Sequence, residues 1–433
     1  MTGLLVFLLV FLALSLLLGL PISFGIGVGA LSTFFITGFP LSFMAQGAFA
    51  ALNNFSYMAI PFFMFSGYIM EYSGISEMLF NMVKAWIGRV KGSVGAVTVV
   101  SSMAFGTLTG SILATASAIG RMTMPAMEKE GYPAGYAAGL VAASSFLGVL
   151  IPPSSPGILY AVAANLKVSD VWLCTVGPGI LIGMIFIMVN YFIRRRVEIA
   201  APSEGAMAYF KTGCAKTKDA VWALLMPIII FGGIYGGVFT ATEAGAISCV
   251  YGIIYFLVRK KRQPDRVNGS LLNVFVVSAS ITGAIGLISI MSNIVGRAIS
   301  FSGASTQLAQ LITSNISSPY TFLMMCNVLF LIWGCFLDIN SAILLLVPLL
   351  APTVSAMGID PLHFSAVTMV NLCIGNITPP FALSLFTVAK LTKANFMEIV
   401  RGVLPFLFAS LAVLIIITYI PEIPLFLPRL ING

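Results

Sequence analysis

The residues able to do chemistry in this chain are mostly uncharged oxygens, and they cluster around two proline pairs. Gly148-Val149-Leu150-Ile151-Pro152-Pro153 and Gly375-Asn376-Ile377-Thr378-Pro379-Pro380 share one spacing: glycine, three residues, then Pro-Pro. Tyr132-Pro133 precedes the first by nearly the interval at which Asp360-Pro361 precedes the second. Each pair interrupts an apolar stretch. A proline pair removes two backbone donors and clashes with the preceding turn, so a helix unwinds there. Unwound carbonyls in an apolar medium cost several kcal/mol each unless something satisfies them. Bound cations do so at broken membrane helices. A plain proline kink is the competing reading of one such motif, but two at matched positions favour a binding site.

Two further segments are rich in small and hydroxyl-bearing residues. Ser101-Ser102-Met103-Ala104-Phe105-Gly106-Thr107-Leu108-Thr109-Gly110-Ser111 lies in the first half, and Trp333-Gly334-Cys335-Phe336-Leu337-Asp338-Ile339-Asn340-Ser341 in the second. Glycines let backbones approach, and hydroxyls suit hard cations and substrate oxygens. Small-residue helix packing is the plainer explanation for any one Ser or Thr. A carboxylate among apolar residues is functional by default. Asp338 has three open readings: ion ligand, cap of a helix, or a group near water. Glu243, in Phe239-Thr240-Ala241-Thr242-Glu243-Ala244, reads first as a helix N-terminal capping residue. His363 is expected to be interfacial and not a ligand. The six cysteines show neither metal spacing nor a disulfide framework.

These groups must be positioned by membrane-spanning helices. Hydrophobic residues make up 59% of the 433 and charged ones 8%, against about 25% charged in soluble domains. A soluble fold cannot hide that much apolar surface, whereas a bilayer takes about 20 apolar residues per spanning helix. Continuous apolar runs such as Leu4–Leu20 exclude the alternation of an outer-membrane barrel. The net charge of +8 reads as orienting cytoplasmic loops, not as a nucleic-acid surface. The N-terminus resembles a first span more than a cleaved signal.

Spans are expected at about 3–19, 22–38, 51–72, 134–166 (interrupted) and 171–193, then 220–238, 239–258, 271–292, 361–391 (interrupted) and 399–420. Amphipathic stretches fall at 75–90 and 296–312. Basic loops at 194–219 and 259–266 flank a pair of spans, so both fit the cytoplasmic side. If 92–125 and 319–353 are re-entrant hairpins, 19 of the 22 Lys and Arg residues fall inside, leaving Lys167, Arg297 and Arg429 outside. Both termini then face outward, and the two interrupted spans run in opposite directions. The expected fold is an all-α polytopic membrane protein made of an inverted repeat, 1–219 and 220–433. Each repeat carries one re-entrant helical hairpin and one broken helix, as in secondary transporters.

The segment Gly233-Ile234-Tyr235-Gly236-Gly237-Val238-Phe239-Thr240-Ala241-Thr242-Glu243-Ala244 resembles the GIYxGxFTxTEA signature of the DctM-like large membrane subunit of tripartite ATP-independent periplasmic (TRAP) transporters. Gly110-Ser111, Ala114-Thr115 and Ala118-Ile119-Gly120 resemble that family's GSxxATxxAIG stretch, and Pro152-Pro153-Ser154 and Thr378-Pro379-Pro380 fit too. Ala241 stands where the family often has proline. The resemblance covers essentially the whole chain. It implies an elevator-type, sodium-coupled importer of organic acids such as C4-dicarboxylates or sialic acid, in a bacterial inner membrane. It also implies two partners: a small four-helix membrane subunit (Q), expected as a separate chain, and a soluble periplasmic substrate-binding protein (P). Sodium (Na+) is then expected at Ser101 or Ser102 with carbonyls near Gly148, Ile151 and Pro153, and again at Gly334, Gly375, Thr378 and Phe381. Substrate is expected near Thr107, Ser154 and Asn340, its carboxylate neutralised by helix N-termini and sodium.

A self-sufficient sodium–carboxylate carrier shares the same architecture, and uptake by this chain alone would favour it. An enzyme should show convergent His, Asp or Cys, and the sequence has no such cluster; a channel should conduct without sodium coupling. Cysteines introduced at Lys211 and Lys260 are expected to label only from the cytoplasm. Labelling of either from outside in intact cells would overturn the topology.

Overall fold

The structure is a computed structural model that describes residues 25, 27–29, 31, 32, 38, 40–88, 93–194, 206–263, 267, 269–301, 303–379 and 382–432. The expected span at 3–19, most of that at 22–38, and Arg89, Lys91, Arg195, Arg196, Arg266, Pro380 and Phe381 lie outside them. Among the described residues every regular element is helical.

In the first half, α1 (Leu41–Leu52) and α2 (Ala59–Tyr72) flank a 3-10 turn at Phe55–Met58, and the pair bends by 57°. Asn54 caps that turn by accepting from the Ser56 N–H. The span expected at 51–72 is therefore the second limb of a bent pair that starts at Leu41. After Gly74, whose positive φ of 71° suits glycine, comes the amphipathic α3 (Ile75–Ile87). A helical hairpin follows, α4 (Ser93–Thr109) and α5 (Ile112–Lys129), with α5 running through Pro125. The first interrupted span is α6 (Ala134–Ser145), the short α7 (Leu147–Leu150) and α8 (Ser155–Ala164), bent by 48° across the break. The unit closes with α9 (Val168–Arg194).

The second half contains α10 (Ala206–Tyr235), α11 (Ala241–Arg262), α12 (Leu271–Phe301), α13 (Ala304–Asn315), the hairpin helices α14 (Pro319–Phe336) and α15 (Ile339–Ala356), α16 (Pro361–Gly375), α17 (Leu383–Ala389), α18 (Phe396–Tyr419) and α19 (Glu422–Asn432). Three features depart from expectation. α10 begins at Ala206, so Lys211, Lys216 and Lys218 sit on a helix and not in a loop. α12 continues unbroken past 292–296, and the chain turns instead at Gly303, with φ +69°. α19 had no counterpart in the sequence reading.

Seven of the described helices are long and apolar enough to cross a membrane, or up to nine when each bent pair counts as one span. Large apolar side chains such as Phe49, Leu272 and Phe408 point outward. Water would penalise that surface and a bilayer accommodates it. The chain is thus an all-α, multi-pass inner-membrane type of protein with bent and broken helices. Long-range pairs lock it together: α6 on α18, α14 on α16, and α8 on α15.

The α6–α18 contact is made by backbone. A Cβ on Gly139 would lie 2.4 Å from the Gly402 carbonyl carbon, and one on Gly402 would lie 2.2 Å from the Gly135 oxygen. Gly135 and Gly139 form the small-x3-small pattern that lets membrane helices touch. Gly402→Ala is expected to cost about 1–3 kcal/mol by overpacking. Gly232→Ala, where a Cβ meets nothing within 4 Å, is the control and should be neutral or stabilising in the helix. Equal thermal midpoints for the two variants would contradict the close crossing. In the labelling experiment above, the exposed Cys214 lies on α10 with Lys211, so a Cys214→Ala background is required.

Candidate functional site

At the first break, α4 and α7 touch through glycine. A Cβ on Gly106 would sit 1.9 Å from the Gly148 Cα and 2.6 Å from its carbonyl oxygen. Only hydrogen fits there. Around the same point, a Cβ on Gly148 would meet the Thr115 hydroxyl at 2.8 Å and the Ser102 carbonyl oxygen at 3.4 Å. The hairpin turn closes on the far side: Gly110, with φ +56°, would bring a Cβ 2.6 Å from the Pro153 carbonyl oxygen. The Gly-x3-Pro-Pro spacing explains the free oxygens. The helical partners of the Gly148 and Val149 carbonyls would be Pro152 and Pro153, which have no N–H.

Ser101 and Ser102 lie on the same stretch of α4, fully buried, and their hydroxyls have no hydrogen-bond partner. Their neighbours behave differently. Thr98 donates to the Val94 carbonyl at 2.8 Å, Thr107 to Ala104 at 2.8 Å and Thr109 to Phe105 at 3.4 Å. A buried hydroxyl without a partner costs about 1–3 kcal/mol. Hydroxyl and carbonyl oxygens are the donor set of a hard cation. No cluster of three His, Cys, Asp or Glu exists among the described residues, so a transition-metal site has no support there.

The second break repeats the contact. A Cβ on Gly375 would lie 2.5 Å from the Gly334 Cα, and one on Gly334 would lie 3.0 Å from the Gly375 Cα. Here the carbonyls are better served. The Thr378 N–H donates to the Gly375 oxygen at 3.0 Å, and the Ser384 N–H donates to the Asn376 oxygen at 3.4 Å. The Thr378 hydroxyl donates back to the Ile374 carbonyl at 2.8 Å. Phe381 falls outside the described residues.

Between the two crossings lies a cavity of about 460 Å³, within the usual range for small-molecule sites. Both hairpin turns line it (Gly110, Ser111 and Asp338, Asn340), as do both breaks (Val149, Ser155 and Asn376, Leu383). α2 and α12 close one wall through Tyr68 and Ser280. Asp338 is the one charged residue of the lining. The N-termini of α5, α8 and α15 all open on this space. Ser111 caps α5, accepting from the Ala114 N–H at 3.4 Å. Asp338 caps α15, accepting from the Asn340 N–H at 3.0 Å, the Ser341 N–H at 3.3 Å and the Ser341 hydroxyl. Of its three readings, the capping one describes it. α8 has no side-chain cap, and the Ser154 hydroxyl at its start is buried without a partner.

Of the residues expected to contact substrate, Asn340 lines the cavity with its Oδ1 unpartnered. Ser154 adjoins it through Ser155, and Thr107 does not line it. The sequence reading did not single out Thr115, Ser111, Ser155 or Asn376. Their signal was present: each is polar and lies in a hairpin turn or a proline break or within a turn of one. His363, expected at the membrane interface, is packed inside the protein. Its ring is 4% exposed and its Nε2 bonds the Ile417 carbonyl at 2.8 Å, so it ties α16 to α18. Glu243 caps α11 in a reciprocal box with Thr240.

A family model described as the DctM component of tripartite ATP-independent periplasmic transporters matches residues 5–423. The chain is 35% identical, over 94% of its length, to an isethionate TRAP transporter permease protein of Oleidesulfovibrio alaskensis, of which it spans 64%. It is 33% identical to the sialic acid TRAP transporter large permease protein of Vibrio cholerae, covering 96% of each chain. It is 33% identical to a C4-dicarboxylate TRAP transporter large permease protein of Pseudomonas aeruginosa, covering 93% of this chain and 92% of that one. The crystal structure of the Alcanivorax borkumensis YdaH transporter shares the fold, with a TM-score of 0.63 at 14% identity over 88% of each chain. The chain is a transport protein, not an enzyme, and belongs to the DctM-like large permease subunits of the TRAP transporters.

Proposed function

We propose that this permease imports a small organic anion together with sodium, carrying both on a unit built from the two hairpins and the two broken helices. The observation that carries the reading is the pair of buried, unpartnered hydroxyls, Ser101 and Ser102, on the helix whose Gly106 meets the break at Gly148. A desolvated sodium ion supplies what those oxygens lack. The carbonyls of Gly148, Ile151 and Pro153 complete the first ion site. Gly334, Gly375, Thr378 and Phe381 form the second.

The anion binds in the 460 Å³ cavity, with its charged group at the uncapped N-terminus of α8, near Ser154, and its far end toward Asn340. The relatives named for isethionate, sialic acid and C4-dicarboxylates support an anionic cargo, since each of those compounds carries a sulfonate or carboxylate. Residues 1–219 and 220–433 act as inverted repeats with re-entrant hairpins at 92–125 and 319–353. The carrying unit slides as an elevator against α2, α10, α11 and α12, with both termini periplasmic. A small membrane subunit and a periplasmic binding protein complete the system.

Ser102→Ala removes an oxygen that is unsatisfied without the ion, so the sodium-free protein should be as stable as wild type or more so. Stabilisation by added sodium should shrink, because that gain scales with ion affinity. A sodium-induced rise in melting temperature equal to wild type would remove Ser102 from the ion site. Thr378→Leu should lower transport and weaken its sodium dependence, measured in proteoliposomes with the partner subunits. An unchanged sodium response would remove Thr378 from the second site. Full uptake by this chain alone would overturn the requirement for partners.

A further inference from the structure

A second cleft, of about 820 Å³, lies away from the transport cavity, where α3 meets the start of α10 and the end of α11. Four cations line it: Lys216 and Lys218 on α10, and Arg259 and Arg262 on α11. The one carboxylate in the lining is Asp219, 3.7 Å from the Lys216 ammonium. Among the described residues the lining therefore carries an excess of positive charge.

Arg259 is the telling residue. It is 8% exposed, and one of its terminal N–H groups donates to the Tyr255 hydroxyl at 2.7 Å. The same nitrogen contacts the Met78 sulfur. Its Nε–H is buried with no acceptor. Among the described residues a phenol and a thioether hold this guanidinium, and no carboxylate pairs with it. Below the basic end the lining mixes apolar and aromatic side chains, Val258, Tyr255, Ile254 and Tyr251 on α11 with Trp222 on α10. Val250, Ile254 and Val258 form an outward-facing stripe at helical spacing on α11. With about 1.5 Å rise per residue, that stripe descends roughly 12 Å from Val258 to Val250. Arg259 and Arg262 end a candidate span, so the cations stand at interface depth with the aromatics beneath them, as at a membrane–water boundary.

We propose that this cleft is a binding site for one anionic phospholipid. Its phosphate sits among Arg259, Arg262 and Lys218, and an acyl chain follows the Val258–Val250 stripe. The continuity of a basic mouth with a mixed aromatic and apolar track selects a lipid over a free phosphate, which has no use for the track. Basic pockets between membrane helices hold headgroups in this way.

The test is native mass spectrometry of the full chain in dodecylmaltoside, titrated with phosphatidylglycerol or with phosphatidylcholine. Phosphatidylglycerol should bind more tightly. Lys218→Gln and Arg262→Gln, both at exposed positions that spare the packing, should each weaken it about fivefold, one interfacial cation's worth. Lys129→Gln, an exposed cation outside the cleft, should leave it unchanged. Equal binding of the two lipids, or undiminished phosphatidylglycerol binding in both cleft variants, would overturn the proposal. Displacement of bound phosphatidylglycerol by glycerol phosphate at equal concentration would overturn the lipid assignment in favour of a soluble anion.

Discussion

A main-chain carbonyl inside a bilayer has no water to turn to, and the two proline pairs take donors away from carbonyls that a helix would otherwise serve. The architecture around the breaks answers that deficit. At the first break, the backbone of α4 is pressed against α7 so closely that neither Gly106 nor Gly148 tolerates a methyl group. Side-chain volume is given up there so that oxygens of the hairpin and of the break come within reach of one another. The hairpin turn does the same at Gly110, against the Pro153 carbonyl. A bulkier residue at any of these glycines would push the oxygens apart and leave each one stranded.

The cavity between the crossings, where the proposed anion would bind, has no cationic side chain among its described lining residues. A lysine there would bring its own desolvation cost and would hold an anion without release. Helix ends are softer, each worth about half a unit charge. Those of α5 and α15 are occupied by Ser111 and Asp338 from their own turns. The starts of α8 and the short α17 carry no side-chain cap, and that of α8 lies beside the unpartnered Ser154 hydroxyl. A site meant to let go of its cargo is better built from such partial charges than from a full ion pair, for the same reason that conducting pores avoid deep wells.

The breaks and hairpins were legible in the sequence because glycine and proline act locally. Gly-x3-Pro-Pro unwinds a helix whatever surrounds it, and both interruptions stand where the motif predicts. Positions set by tertiary packing were not legible. α12 passes straight through 292–296 despite Gly296, and the chain turns only where Gly303 permits a positive φ. His363 looked interfacial from its place near the start of a span, yet α18 brings the Ile417 carbonyl to it and buries the ring. Thr115 was visible as a hydroxyl in the hairpin. That it faces Gly148 depends on how α5 returns beside α4, which no local spacing encodes.

The two crossings match in backbone but not in side chains, and the difference bears on how each can work. Four and five residues before Gly106 stand Ser102 and Ser101; the same offsets before Gly334 give Phe330 and Leu329. Phe330 is fully buried against Phe364, so that flank of the second crossing is apolar. The second break compensates within its own chain, since the Thr378 and Ser384 N–H groups already serve the Gly375 and Asn376 carbonyls. Its unsatisfied demand is therefore smaller. A cation there must compete with donors already in place, whereas at the first crossing it meets oxygens with nothing else to bind. Equal backbone geometry thus leaves unequal demand, and under the proposed sodium coupling the tighter ion is assigned to the serine-bearing crossing.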